Sequence, residues 1–129
     1  MVEEETLLAL LGQWESVYKK GALTFWLMLM LHQRPMYAFE MGPALTRISS
    51  GTLSVDRKSL YRAMRRFEAS GVVDSTWHSS DKGPKRRYYH LTPLGTELLR
   101  RFTRRNILIF QEPTVAFGLA RLMQEKETE

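Results

Sequence analysis

The sequence predicts a mainly α domain that carries one small β-hairpin. Three observations predict it. Apolar residues recur at helical spacing along most of the chain, residues 72–91 switch to strand-like content around a Gly83-Pro84 turn, and Asp, Thr, Gly and Pro punctuate the helical stretches at their ends. The 129 residues fit one domain, and 43% hydrophobic with 26% charged residues suits a packed core and argues against wholesale disorder.

Between Thr6 and Tyr18, Leu7, Leu8, Leu10, Leu11, Trp14, Val17 and Tyr18 form a helical stripe. Gly21, after Lys19 and Lys20, predicts a break before a second helix. Ala22 to His32 is apolar on nearly every side and predicts the central buried helix, which Pro35 ends. Met36 to Ile48 reads as a third helix, with Gly42-Pro43 expected to kink or split it. Ser49 to Thr52 is a turn cluster. Asp56 caps a helix running to about Ser70, where Gly71 stops it.

Val72 to Ser79 and Arg86 to Leu91 read as two strands joined by a loop over Ser80 to Pro84. Thr92 then offers an N-cap and Pro93 a first helical position for a helix through about Phe110. Pro113 interrupts, and Thr114 to Glu125 forms a last helix. The expected division is an N-terminal helix over 1–20, a helical unit carrying the hairpin over 21–92, and C-terminal helices over 93–129.

Composition removes several function classes. The chain has no cysteine, which excludes disulfides, thiolate nucleophiles and Cys-ligated zinc. Its most apolar run, Ala22 to Leu31, is far shorter than the ~20 residues that span a bilayer. The opening Glu3-Glu4-Glu5 is unlike a basic signal-peptide start, so a cytoplasmic location without membrane contact is expected. His78, Ser79, Ser80 and Asp81 are the residue types of a hydrolase triad, but adjacent strand residues point to opposite faces and cannot converge. His32, His78 and His90 lack metal-ligand spacing, and no phosphate-cradling glycine loop occurs. Neither an enzyme, a metal site nor a cofactor is expected.

Charge distribution is more informative than its total. The net charge is +5, yet Arg57 to Arg105 holds thirteen Lys/Arg against four Asp/Glu, so this stretch carries +9 and the remainder −4. At about 100° per residue, Leu60, Ala63, Met64 and Phe67 share one face of the helix after Asp56, while Lys58, Arg62, Arg65 and Arg66 gather opposite, with Ser59 beside them. A lone basic face is often merely solvated. Here a second basic element follows, Lys82, Lys85, Arg86 and Arg87 around the hairpin tip, backed by Tyr88 and Tyr89. A helix able to enter a major groove followed by a basic hairpin is the winged helix-turn-helix arrangement, and it points to double-stranded DNA.

Four runs then resemble the PadR family of winged-helix transcriptional regulators, over roughly residues 21–99. They are Gly21 with Arg34-Pro35-Met36-Tyr37-Ala38-Phe39-Glu40; Ser59-Leu60-Tyr61 with Arg65-Arg66-Phe67-Glu68 and Gly71-Val72-Val73; Gly83-Pro84-Lys85-Arg86-Arg87-Tyr88-Tyr89; and Leu91-Thr92-Pro93-Leu94-Gly95. Ala38, Arg62 and Phe67 depart from the family's usual glycine, proline and leucine. The resemblance implies a homodimeric repressor that sets two recognition helices in successive major grooves.

The expected DNA-facing residues are Arg57, Lys58, Ser59, Tyr61, Arg62, Arg65 and Arg66 on the helix, Tyr37 at its junction with the core, and Lys82, Lys85, Arg86 and Arg87 on the wing. Leu7, Leu11 and Trp14 at one end, and Ile107, Phe110, Val115, Phe117, Leu119 and Leu122 at the other, exceed what a small winged core absorbs and are expected to form a homodimer contact. Met28, Met30, Met36, Met41 and Met64 with Trp26 fit ordinary core better than a small-molecule pocket, and no effector is identifiable. The competing assignment is a winged-helix interaction module whose basic surface binds an acidic protein.

Overall fold

The computed structural model describes residues 2–125. In chain order the elements are α1 (Glu4–Gln33), β1 (Met36–Tyr37), α2 (Ala38–Ile48), α3 (Arg57–Ala69), β2 (Val73–Ser80), β3 (Gly83–Leu91), α4 (Pro93–Asn106), a 3-10 turn (Leu108–Gln111) and α5 (Pro113–Gln124). The last four residues of the expected 93–129 segment lie outside the described residues.

The first correction concerns Gly21. No break occurs there; α1 runs unbroken for 30 residues, about 45 Å at ~1.5 Å per residue, so the expected 20/21 boundary falls inside a helix. A glycine in a helix interior costs only ~1 kcal/mol, and the surrounding Lys19, Lys20, Ala22 and Leu23 are good helix formers. Glu3 starts the helix by accepting the Thr6 amide at 2.6 Å.

The second correction is a strand. Met36 and Tyr37 do not begin a helix but pair with Tyr89 and Tyr88 of β3, giving a three-stranded antiparallel sheet of order β1-β3-β2. Two residues are too few to show a period. α2 follows at once, with the Glu40 carboxylate accepting the Tyr37 amide at 3.2 Å. It passes through Pro43 without splitting.

α3 forms as expected. Asp56 Oδ1 accepts the Ser59 amide at 2.8 Å and Oδ2 the Ser59 hydroxyl at 3.0 Å, and these two hydrogen bonds hold the Asp56 carboxyl below the usual aspartate range. Leu60, Ala63, Met64 and Phe67 are all buried. Gly71 then takes φ +83°, a left-handed conformation that L side chains adopt only with strain.

The wing is longer than expected. β2 continues to Ser80 and β3 begins at Gly83, with an irregularity between His78 and Ser80, so the turn is reduced to Asp81-Lys82. α4 begins at Pro93 with Thr92 as its cap, its hydroxyl oxygen accepting the Gly95 amide at 3.1 Å and donating to the Gly71 carbonyl at 2.6 Å. It ends at Asn106 rather than near Phe110, because a separate 3-10 turn carries Leu108 to Gln111. The β-branched Ile107 and Ile109 at this joint favour an α-helix less than the preceding arginines do.

Among the described residues all buried hydrophobic side chains lie between Leu27 and Leu99, centred on Leu27, Met41, Leu45 and Met64. Met28, Met30 and Met36 belong to the same cluster, with Trp26 packed on its edge. Helix α4 docks so closely on this unit that a Cβ at Gly95 would sit 2.0 Å from the Val72 carbonyl oxygen.

Candidate nucleic-acid interface

Three elements build the basic surface. α3 buries one face in the core and thereby turns Arg57, Lys58, Tyr61, Arg62, Arg65 and Arg66 outward; all six are exposed. β3 carries Lys85 and Arg86 along the wing. β1 delivers Tyr37 beside it through the Tyr37–Tyr88 pairing.

These side chains meet along overlapping grooves. One, of about 360 Å³, lies between α3 and the wing and is lined by Tyr37, Phe39, Tyr61, Arg65, Trp77, Lys85, Arg86 and Arg87. A second along α3 is lined by Arg57, Lys58, Tyr61, Arg62 and Arg65. Aromatic rings bridge the two cationic rows: Arg57 stands 5.7 Å from the Phe39 ring centroid, Phe39 stacks on Tyr37 at 6.5 Å, and Arg86 stands 4.7 Å from the Tyr37 ring. Each stacked cation keeps its charge while losing freedom, which favours contact with an anion at a fixed place.

Among the described residues, Arg57, Lys58, Arg62, Arg65, Arg66, Lys82, Lys85 and Arg86 make no salt bridge, nor do Lys19, Lys20, Arg47, Arg104 and Arg105 elsewhere, whereas Arg34, Arg87, Arg100, Arg101 and Arg121 each have a carboxylate within 4 Å. Unneutralised side chains on one surface are what a polyanion needs.

Four expected contacts stand differently from the rest. Arg87 is half-buried and turned toward α3, with its Nη2 2.8 Å from Glu68 Oε2. Ser59 is occupied by the Asp56 cap and by Arg62, whose Nη2 donates to its hydroxyl at 3.4 Å. Arg66 and Lys82 are exposed but line neither groove. Arg86 and Arg87 are neighbours on one strand and must face opposite ways, a signal available from the sequence once the wing is recognised.

Two residues at this surface were missed. Phe39 is 67% exposed, and Trp77 is 64% exposed beside Lys85 and Arg65. Nothing in the sequence marks Phe39 as exposed, because it stands among the apolar Met36, Ala38 and Met41. Trp77 sits on the same sheet face as Ser75, opposite Arg87 in the register, and only that register assigns it to the groove.

The other expected set also lies open. Leu7, Leu11, Trp14, Phe110, Phe117, Leu119 and Leu122 are exposed, Trp14 by 75%, while Ile107 and Val115 are half-buried. Leu94, Leu98 and Phe102, spaced four apart on α4, are exposed as well and were not singled out from sequence. Among the described residues no cluster of His, Asp and Glu suits a metal ion, and no helix is long and apolar enough to cross a membrane.

Known structures share this architecture. A PadR-like transcription factor from Bacteroides fragilis is 27% identical, covering 84% of this chain and 98% of its own, with a TM-score of 0.62. A PadR-like transcriptional regulator from Bacillus cereus is also 27% identical, covering 83% of this chain and 96% of its own at the same TM-score. Bacillus subtilis PadR in complex with operator DNA is 12% identical over 63% of this chain and 46% of its own, at 0.58, a likeness of fold alone. The model of the transcriptional regulator PadR-like family matches residues 27–101, more than half of the sequence, and the chain therefore belongs to that family.

Proposed function

We propose that the chain binds double-stranded operator DNA as a homodimer, with α3 in the major groove and the wing on the flanking groove or backbone, and that it acts as a repressor. The observation that carries this reading is the surface of unpaired cations shared by α3 and β3, with the stacked rings of Tyr37 and Phe39 between them. Lys58 and Arg62, early on α3, are the residues assigned to base edges. Arg57, Arg65, Arg66, Lys82, Lys85 and Arg86 are assigned to phosphates, and Tyr37 and Tyr61 to the backbone at the junction.

The dimer is argued from α1. Its first half carries Leu7, Leu11 and Trp14 with no buried residue before Leu27. An isolated helical segment of that length is marginal in water, so an apolar stripe on it calls for a partner, and α5 offers a second such stripe through Phe117, Leu119 and Leu122. A second copy supplies both at once in an isologous contact. Two recognition helices ~34 Å apart on a pseudo-palindromic site follow from that symmetry. A dimer occupying such a site represses by excluding other proteins from it.

A mobility-shift titration with random-sequence duplex and with the upstream promoter duplex, at roughly 50 and 200 mM salt, tests this reading. A discrete complex that weakens with salt is expected, and Arg65→Met should weaken binding to every sequence and reduce the slope of log K against log salt by about 0.9. Absence of any discrete, salt-sensitive complex would transfer the basic surface to an acidic protein partner.

A further inference from the structure

Arg87 differs from every other cation of the basic surface. Its Nη2 donates to Glu68 Oε1 at 2.9 Å and to Oε2 at 2.8 Å, and its Nε donates to the Ser75 hydroxyl oxygen at 2.8 Å. The Ser75 hydroxyl in turn donates to Glu68 Oε2 at 2.9 Å, and the guanidinium stands 5.4 Å from the Tyr89 ring centroid. Glu68 lies in the last turn of α3, Ser75 on β2, and Arg87 on β3, so one closed ring of hydrogen bonds ties the helix to both strands of the wing. The Glu68 side chain is only 23% exposed, which strengthens a charge-assisted pair relative to one in open water.

We propose that Arg87 is a positioning residue rather than a phosphate contact: with Glu68 and Ser75 it fixes the wing against α3, so that Lys85 and Arg86 keep their distance from Arg62 and Arg65. This rests on the DNA-binding reading above for its consequence, but the clamp itself is a property of the free protein. The guanidinium's charge is already matched by a carboxylate, so a nearby phosphate gains little from it. Its planar fork is instead matched to the rigid task of holding two strands and a helix together. The adjacent Arg86 turns to the other sheet face, packs on Tyr37 and has no carboxylate partner.

The test uses the full-length protein as wild type, Arg87→Met, Glu68→Gln, the double variant and Arg86→Met. In the free protein, amide exchange over residues 73–91 should quicken in Arg87→Met and Glu68→Gln alike, and by no more in the double variant. On the tightest duplex selected from a randomised pool, both single variants should lose about tenfold in affinity. The salt slope on random-sequence duplex should remain at the wild-type value in Arg87→Met, should not fall in Glu68→Gln, and should drop by about 0.9 in Arg86→Met. A drop of that size in Arg87→Met, with Glu68→Gln indistinguishable from wild type, makes Arg87 a phosphate contact and overturns the proposal. Unchanged exchange in both single variants overturns it too, even where the wild type binds no duplex. Loss of wild-type binding alongside faster exchange in the variants would instead retain the clamp and reject only the DNA reading.

Discussion

The stretch from Leu27 to Leu99 and the helical ends beyond it follow opposite rules. Among the described residues every buried hydrophobic side chain lies inside that stretch, nearly the span shared with the PadR-like family. Outside it, α1 before Leu27 and α5 contain no buried residue at all, although both carry large apolar side chains. The interior region is self-sufficient; the ends have the composition of a core without the enclosure. That difference puts the fold and the basic surface in the middle and the exposed apolar surface at the ends.

The strongest way to break this comparison is to make the ends polar. Replacing Leu11 and Trp14 together by Glu should leave a folded monomer in sedimentation velocity, because nothing between Leu27 and Leu99 loses a neighbour. Operator affinity should then fall by about a hundredfold or more, since two linked half-site contacts become one. A variant that remained dimeric would move the contact to α4 and α5, where Leu94, Leu98 and Phe117 are exposed.

A smaller effect sharpens it through one chemical change made in both regions. Gly95→Ala should cost about 3 kcal/mol in a denaturant melt, because its Cβ would sit 2.0 Å from the Val72 backbone oxygen, an overlap that only a backbone shift relieves. Gly21→Ala meets nothing within 4 Å and should gain about 0.5–1 kcal/mol from helix propensity alone. Equal effects at the two positions would mean that α1 is packed around Gly21 and that its first half is not free.

Legibility in the sequence follows the same partition. α3 was readable almost to the residue, since its cap, its stop and its two faces are local features: Asp56, Gly71, and the alternation of Leu60, Ala63, Met64 and Phe67 with arginines. The Gly21 break was misjudged because a local helix-weakening signal was outvoted by its flanks, an energy sum no single residue displays. β1 was invisible because its reason for existing is β3, fifty residues away. The wing's reach past Gly83-Pro84 depends on an irregularity near His78 that places Pro84 where no ladder amide is required. At the basic surface, the cations were legible as a set, but which of Arg86 and Arg87 is free depends on the facing Glu68, a tertiary fact. Phe39 and Trp77 were missed for the same reason: exposure of an aromatic residue is decided by what fails to cover it.

The smallest expected effect lies at the junction of core and basic surface, in the cap of α3. The Asp56 carboxylate is held below its usual range first by the Ser59 amide and then by the Ser59 hydroxyl. A carboxyl whose folded pKa lies below its unfolded value stabilises the fold fully above the unfolded value, and that contribution disappears as pH falls through the folded one. Asp56→Asn keeps an N-cap oxygen for the Ser59 amide but removes the charge, so its contribution does not titrate. Melting temperatures of the two proteins should therefore differ at pH 7, with wild type higher, and converge as the pH is lowered from the ordinary aspartate range of about 4. A gap of constant size as the pH falls would show that the Asp56 charge adds nothing to the cap, and that α3 is held in register by its buried face of Leu60, Met64 and Phe67 alone.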